Sequence, residues 1–335
     1  KIWDVATRQV VKELKGHTES VWRFSYGRDD RTIITPAFDN TVRIWDVEQG
    51  RERLVIRTEH ATSPFVVELS PDGRLLATGA EREVRLWDTQ DGSLVAHLAG
   101  HGSIVWGLAF SDDGKRLYSA GDDHTVRSWD VEYAVESGGN PNEGRFLVVA
   151  EIPGPRMFGC MTASADGRRR FVPGATEGVQ VIDVEARKAV GALAHQGPIT
   201  GTALSSDGMT LASAGFQDLH VRLWQTDTLE EVSALNAGAG VTGVACSPVD
   251  RKVAAGLVDG QIVLWGGESG ERIWAVKADQ DRIWAITFSP DGRTLAAGTR
   301  TGLIKLFDAE SGKERAVWSG HSSRVWNVAY APDGR

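Results

Sequence analysis

Apolar residues along this chain fall in short runs of about four to six, rich in β-branched and aromatic side chains and closed by Gly, Pro, Asp or Ser. Four kinds of run recur in a fixed order. The first is strongly apolar, as in Val105-Trp-Gly-Leu-Ala-Phe110, and is followed by a turn such as Ser70-Pro-Asp-Gly73, Ser111-Asp-Asp-Gly114 or Ser289-Pro-Asp-Gly292. Pro presets its φ and Gly accepts positive φ, so these tetrapeptides reverse the chain between strands. The second run is small, as in Leu75-Leu-Ala-Thr-Gly79, the third ends on an aromatic and usually Asp, and the fourth resembles Ser93-Leu-Val-Ala-His-Leu98. Each set predicts a four-stranded antiparallel sheet.

The third run marks the period. It reads Lys1-Ile-Trp-Asp4, Val42-Arg-Ile-Trp-Asp46, Val84-Arg-Leu-Trp-Asp88 and Val126-Arg-Ser-Trp-Asp130. It continues as Val179-Gln-Val-Ile-Asp183, Val221-Arg-Leu-Trp224, Ile262-Val-Leu-Trp265 and Ile304-Lys-Leu-Phe-Asp308. The steps are 42, 42, 42, 53, 42, 41 and 42 residues. A sheet of this size cannot bury both faces alone, and radial stacking of such sheets is the β-propeller solution. The expected fold is therefore all-β: one propeller over 1–335, with seven complete units from Val21 to Trp318. Residues 1–15 and 324–335 supply three strands of an incomplete eighth blade. These leftovers leave seven- and eight-membered rings both open, as well as a slice of a longer array. The 53-residue step holds residues 132–144, rich in Gly, Asn, Pro and Glu, and predicts a loop insertion there.

Gly16-His17 stands 28 residues before Trp45-Asp46, and Gly100-His101 stands 28 before Trp129-Asp130. With these offsets the chain resembles the WD-repeat (β-transducin repeat) family over essentially its whole length. That resemblance implies a hydrogen-bonded tetrad of His, Ser or Thr, Asp and Trp within a blade. The matching residues are His17, Thr35, Asp39 and Trp45; His101, Ser119, Asp123 and Trp129; and His195, Ser213, Asp218 and Trp224. Beside His60, Thr78 and Trp87 the Asp position is taken by Glu81, and the units ending at Ile182, Trp265 and Phe307 lack His. Such buried polar groups are costly singly and tolerable as a chain.

Counting five residues back from the turn Ser, or from its equivalents Gly27 and Ala331, gives Trp22, Phe65, Trp106, Gly159, Thr200, Thr242, Trp284 and Trp326. In WD-repeat proteins this register lies at the narrow, top mouth of the central channel. Five large aromatics there, with Phe38, Asp122 and Arg300 in nearby top-face turns, make a candidate partner-binding surface. Packing between blades is the alternative.

Composition narrows the chemistry. Net charge is −8 and no basic run exceeds Arg168-Arg169-Arg170, which disfavours nucleic acid. No apolar run is long enough to span a bilayer. Cys160 and Cys246 have no metal-type spacing and read as reduced, buried thiols of a cytoplasmic protein. Neither a metal nor a cofactor is expected. Gly238-Ala-Gly-Val-Thr-Gly243 has dinucleotide-loop spacing but leads into a strand rather than a helix. A Ser/Thr–His–Asp set repeated in three units, without an oxyanion loop, points to structure rather than hydrolysis. The expected function is a non-catalytic scaffold for a protein or peptide. The alternative is the sensing or docking portion of a larger bacterial signalling protein such as a Ser/Thr kinase, with this chain part of a longer polypeptide.

Overall fold

The Ser-x-Asp-Gly turns set where strands reverse. Ser70 Oγ donates to Asp72 Oδ1 at 2.6 Å, Asp72 accepts the Arg74 amide at 3.1 Å, and the Leu75 amide donates back to Ser70 Oγ at 2.9 Å. Gly73 closes the turn at φ 72°, a left-handed conformation that a side chain would strain. The Ser-to-Asp bond recurs at Ser111–Asp113, Ser164–Asp166, Ser205–Asp207 and Ser289–Asp291. One local chemistry thus starts five of the hairpins.

The computed structural model describes residues 1–331 apart from 6, 8, 22, 28, 30, 59, 61, 138–145, 152–160, 165, 175–177, 187, 268 and 322. Strands β1 (Ile2–Asp4) and β2 (Gln9–Lys12) form a two-stranded sheet. Strands β3 (Ser25–Tyr26), β4 (Thr32–Pro36), β5 (Thr41–Asp46) and β6 (Arg51–Arg57) form a four-stranded antiparallel one. Next come β7 (Val66–Leu69), β8 (Leu75–Gly79), β9 (Glu81–Asp88), β10 (Leu94–Phe110), β11 (Arg116–Gly121) and β12 (Thr125–Asp130). After a short helix α1 (Val131–Ser137), β13 (Phe146–Glu151) completes a seven-stranded sheet with them. Four four-stranded sheets follow. They are β14 (Thr162–Ala163), β15 (Arg169–Pro173), β16 (Val179–Asp183), β17 (Lys188–Leu193); β18 (Ile199–Leu204), β19 (Thr210–Gly215), β20 (His220–Gln225), β21 (Glu231–Asn236); β22 (Val241–Cys246), β23 (Lys252–Leu257), β24 (Gln261–Gly266), β25 (Arg272–Lys277); and β26 (Ile283–Phe288), β27 (Thr294–Thr299), β28 (Ile304–Asp308), β29 (Glu314–Trp318).

Three expectations are modified. Seven separate units become six sheets of four or more strands, because β10 is one continuous 17-residue strand. Its first half pairs with β9 and its second half with β11, so it closes one unit and opens the next. The third strand expected for an eighth unit, Arg324 to Tyr330, is not a strand. The Val325 amide reaches Thr299 O at 2.9 Å, and among the described residues the rest of the segment pairs with no strand. The insertion also begins as helix α1 rather than loop. Asp130 Oδ1 caps its first turn by accepting the Tyr133 amide at 3.2 Å, while Val131 and Ala134 are buried. Residues 138–144 of that insertion lie outside the described residues.

Packing gathers the chain into two compact units. One comprises Lys1–Trp3, Val10–Met161 and Ile182–Val190; the other Asp4–Gln9, Thr162–Val181 and Gly191–Arg335. Both are built in the same way, by facing sheets. In the first, Ile34, Ile44 and Ile56 of the β3–β6 sheet pack against Val67, Leu76 and Trp87 of the next sheet. In the second, Leu223 and Leu235 meet Val241, Val253 and Trp265, and Ile262 and Leu264 meet Ile286, Leu295 and Phe307. The third-strand aromatic is thus the plug driven into the preceding sheet, which is why its spacing is the most regular feature of the sequence.

Candidate functional site

Each third-strand Trp on the polar side of this packing needs an acceptor for its indole N–H. In the first unit Trp129 Nε1 donates to Ser119 Oγ at 2.7 Å, His101 Nε2 lies 2.7 Å from the same oxygen, and His101 Nδ1 lies 2.9 Å from Asp123 Oδ2. Because the serine lone pair is used by the indole, its proton goes to Nε2, and Nδ1–H donates to the carboxylate. Trp45, Thr35, His17 and Asp39 are linked through distances of 2.7, 2.7 and 2.9 Å. In the second unit Trp224, Ser213, His195 and Asp218 are joined at 2.8, 2.5 and 2.9 Å. Asp39, Asp123 and Asp218 then collect backbone amides or guanidinium groups at the blade edge.

A fourth network runs through a residue other than the one counted from sequence. Glu81 is exposed at a hairpin tip, and Glu83 Oε1 takes the His60 Nδ1 bond at 2.5 Å. Thr78 Oγ1 completes it, 2.9 Å from His60 Nε2 and from Trp87 Nε1. The β8–β9 connection is one residue shorter than its counterparts. Its tight reversal, with Arg82 at φ 67°, moves position 81 away from the imidazole. Glu83, two residues on and therefore on the same strand face, has the extra methylene needed to span the gap.

Burial pushes the His60, His101 and His195 pKa values below the ordinary 6.5, and their carboxylate partners only partly oppose this. For Asp39, burial would raise the pKa, but hydrogen bonds from Thr41 and His17 outweigh it and hold it at about 2. Asp123 and Asp218 are also lowered, despite burial, by His101 and His195 respectively and by further donors. An unfolded chain protonates its histidines at a pH where these three imidazoles stay neutral in the folded chain. The stability they contribute is therefore complete above about pH 6.5 and declines as pH drops below it. The depressed aspartates act lower, contributing above about pH 3.8 and losing that contribution as pH falls toward 2. The expected result is a melting temperature that decreases steadily from pH 7 to pH 5, followed by circular dichroism. A midpoint that rises in that interval would mean the imidazoles are held as cations.

The aromatic register has a different character. In the first unit the Phe65 and Trp106 rings are 4.9 Å apart, and in the second Trp284 and Trp326 are 4.5 Å apart; all four are half-buried. The indole nitrogens of Trp106 and Trp284 are shielded and have no acceptor among the described residues. Trp22 and Gly159 lie outside the described residues. At the same register Thr200 and Thr242 do structural work: their hydroxyls donate to Val241 O at 2.8 Å and Ile283 O at 2.5 Å, tying each first strand to the next. Phe38 is exposed, Asp122 is half-buried, and exposed Arg300 pairs with Asp281 at 3.0 Å. A repeated signal, Arg282-Ile-Trp284 and Arg324-Val-Trp326, was available in the sequence but is absent from the aromatic count, which considered one position per unit.

Comparison with known proteins places this geometry. The WD domain, G-beta repeat model matches residues 8–46, 52–88, 92–130 and 187–225, and the anaphase-promoting complex subunit 4 WD40 domain model matches 246–333. The chain belongs to the WD-repeat family. Its WD-repeat sheets are the blades of a β-propeller fold, which the chain shares with the crystal structure of the computationally designed Ika8 protein. That match has a TM-score of 0.77 at 21% identity and covers 96% of each chain. Among curated relatives, autophagy-related protein 16 of Arabidopsis thaliana is 31% identical over 39% of this chain and 26% of its own length. Nuclear distribution protein PAC1 of Arthroderma otae is 30% identical over 48% of this chain and 38% of its own. This WD-repeat chain thus matches well under half the length of either relative.

The two WD models divide the chain as its chemistry does. The four segments matched by the first contain His17, His60, His101 and His195, one network each. In the segment matched by the second, buried Ala255 and Ala297 occupy the Ser position ten residues before Trp265 and Phe307; buried Ala278 within it, and buried Ala237 ahead of it, stand near the His position. WD-repeat blades here carry the polar chain whole or dispense with its His and Ser together, since a half-satisfied network costs more than an apolar one.

The Ser–His–Asp geometry does not expose a nucleophile. Ser119 and Ser213 are fully buried, and each oxygen already accepts an indole N–H. The Cys246 thiol is free, with its pKa pushed up to about 12 by burial, so it is a poor nucleophile at neutral pH. Among the described residues no His, Cys, Asp and Glu cluster could hold a metal ion, and no helix is long and apolar enough to cross a membrane.

Proposed function

We propose that this chain is a non-catalytic scaffold holding a protein or peptide at the top-face ends of its first strands. The proposed contact residues are Phe65, Trp106, Phe38 and Asp122 in the first unit and Trp284, Trp326 and Arg300 in the second, with Trp22 outside the described residues. The observation that carries this reading is the state of Trp106 and Trp284. Each is half-buried against an aromatic neighbour, and its indole N–H has no acceptor among the described residues. A rigid, part-exposed ring pair offers contact area to a partner at low entropic cost. WD-repeat membership supports a scaffold role, and the occupied, buried Ser oxygens support a non-catalytic one. A cytoplasmic setting suits the free Cys246 thiol.

The test replaces Trp106 and Trp284 with Ser and compares capture from native lysate with that of the intact chain. Partners retained by the intact chain are lost from the variant, while its melting temperature stays within a few degrees. Identical captured sets, or collapse of the fold, would return these rings to simple packing.

A further inference from the structure

The triplet Arg-Ile/Val-Trp occurs at 282–284 and again 42 residues later at 324–326. Residues two apart on an extended segment face the same side, so each Arg is delivered to its own Trp. The Arg282 guanidinium carbon stands 4.7 Å from the Trp284 ring centre and 5.5 Å from that of Phe216. The Arg324 carbon stands 4.7 Å from Trp326 and 6.0 Å from Trp284. Rings and cations therefore alternate as Phe216, Arg282, Trp284, Arg324 and Trp326, all within the second unit.

Contact with a ring stabilises a guanidinium through its charge but leaves its five N–H donors without acceptors. Among the described residues neither Arg282 nor Arg324 has a carboxylate in ion-pair contact or a side-chain hydrogen bond. The nearby acids are already engaged: Asp281 Oδ2 takes Arg300 Nη1 at 3.0 Å, and Asp279 Oδ2 takes Thr301 Oγ1 at 2.9 Å. Arg282 is half-buried, and the charge of neighbouring Asp281 offsets only part of the cost of desolvating it. An arriving anion removes that cost.

We infer that this ladder receives an acidic segment of a partner protein, with Asp or Glu carboxylates bound by Arg282 and Arg324 and adjacent apolar side chains lying on Trp284 and Trp326. The inference rests on the reading of the aromatic register as a partner surface. Planar forks matched to carboxylates give the directional part of the recognition, and the rings give the contact area. A nucleic-acid strand needs cations along a continuous track, whereas here two free guanidinium groups form an island on a chain of net charge −8.

The experiment probes the intact chain with arrays of twelve-residue peptides. Each carries two Glu at varied spacing among Leu, Phe and Ser, beside matched copies with Gln or phosphoserine for Glu. Retained peptides are then titrated by fluorescence anisotropy at several salt concentrations. Glu peptides should bind at least tenfold tighter than their Gln copies and weaken with salt. Arg324→Gln, at an exposed site, should remove most of that preference without altering the melting temperature, and Arg282→Gln should act in the same direction. Equal binding of Glu and Gln peptides would refute the acidic preference while leaving the aromatic surface standing. Binding that survives both Arg substitutions, binding of phosphoserine peptides alone, or tighter binding of labelled oligothymidylate would each overturn the inference. If no peptide of any kind binds, the aromatic reading fails with it.

Discussion

Trp265→Ala is expected to destabilise the second unit by about 3–5 kcal/mol, the range for deleting a large aromatic from a packed core. Its indole is almost entirely buried in a cluster drawn from two sheets, with Ala212, Leu223 and Leu235 on one side and Val253, Ala255 and Val263 on the other. A void there removes contacts from both walls at once, and neither sheet can collapse inward without breaking its own ladder. Chemical denaturation measures the loss. Hydrogen exchange then shows where it is felt: protection should fall in β18–β21 as well as β22–β25. Weakening confined to β22–β25 would mean that the third-strand aromatic supports only its own sheet, contrary to the packing described. Trp265→Phe should retain most of the stability, because the last blade uses Phe307 in the equivalent place.

His101→Ala comes next, with an expected cost of about 3 kcal/mol from a cavity plus a buried hydroxyl left without its acceptor. Ser119 is fully buried, so no solvent replaces the lost imidazole, and Asp123 forfeits the donor that holds its carboxyl low. The sharper form of this prediction is its failure to add. A triple variant with Ser119→Ala and Trp129→Phe as well should lose less than about 1 kcal/mol beyond His101→Ala, since Ser119→Ala deletes the hydroxyl that His101→Ala orphans and Trp129→Phe deletes the indole N–H that Ser119→Ala orphans in turn. The blade ending at Phe307, with Ala297 and Ala278, is the natural precedent for that apolar set. Additive losses in guanidinium denaturation would show that the four side chains act as independent contacts.

Local chemistry made much of this architecture legible in advance. The Ser-x-Asp-Gly turns act within six residues, so their bonding partners are sequence neighbours and recur wherever the tetrapeptide does. The third-strand aromatics could be found because one packing demand, plugging the preceding sheet, repeats at the spacing of the sheets. The position of Glu83 was not legible. Counting residues assigns the carboxylate to position 81, but a one-residue change in hairpin length decides which side chain faces His60, and side-chain length decides which can reach it. Nor did strand patterning reveal β10, since Gly100-His101-Gly102 reads as a break, yet the strand runs through it between the pairing that ends at Ala99 and the pairing that resumes at Ile104. The Arg–Trp ladder was missed for a related reason. The two Arg–Trp pairs lie 42 residues apart and Phe216 lies 66 residues before Arg282, and only packed sheets bring Phe216, Arg282 and Trp326 into one row.

The amino-acid order alone therefore determined the repeat, the strand content, the reversing turns and the aromatic plugs, because each depends on backbone preference or on burial at a fixed period. The tertiary structure decided which carboxylate meets which imidazole, whether a strand ends or runs on, and which cations stand on aromatic rings without an acid beside them. Those outcomes depend on ångström-scale distances between residues far apart in the chain, and such distances exist only once the sheets have packed.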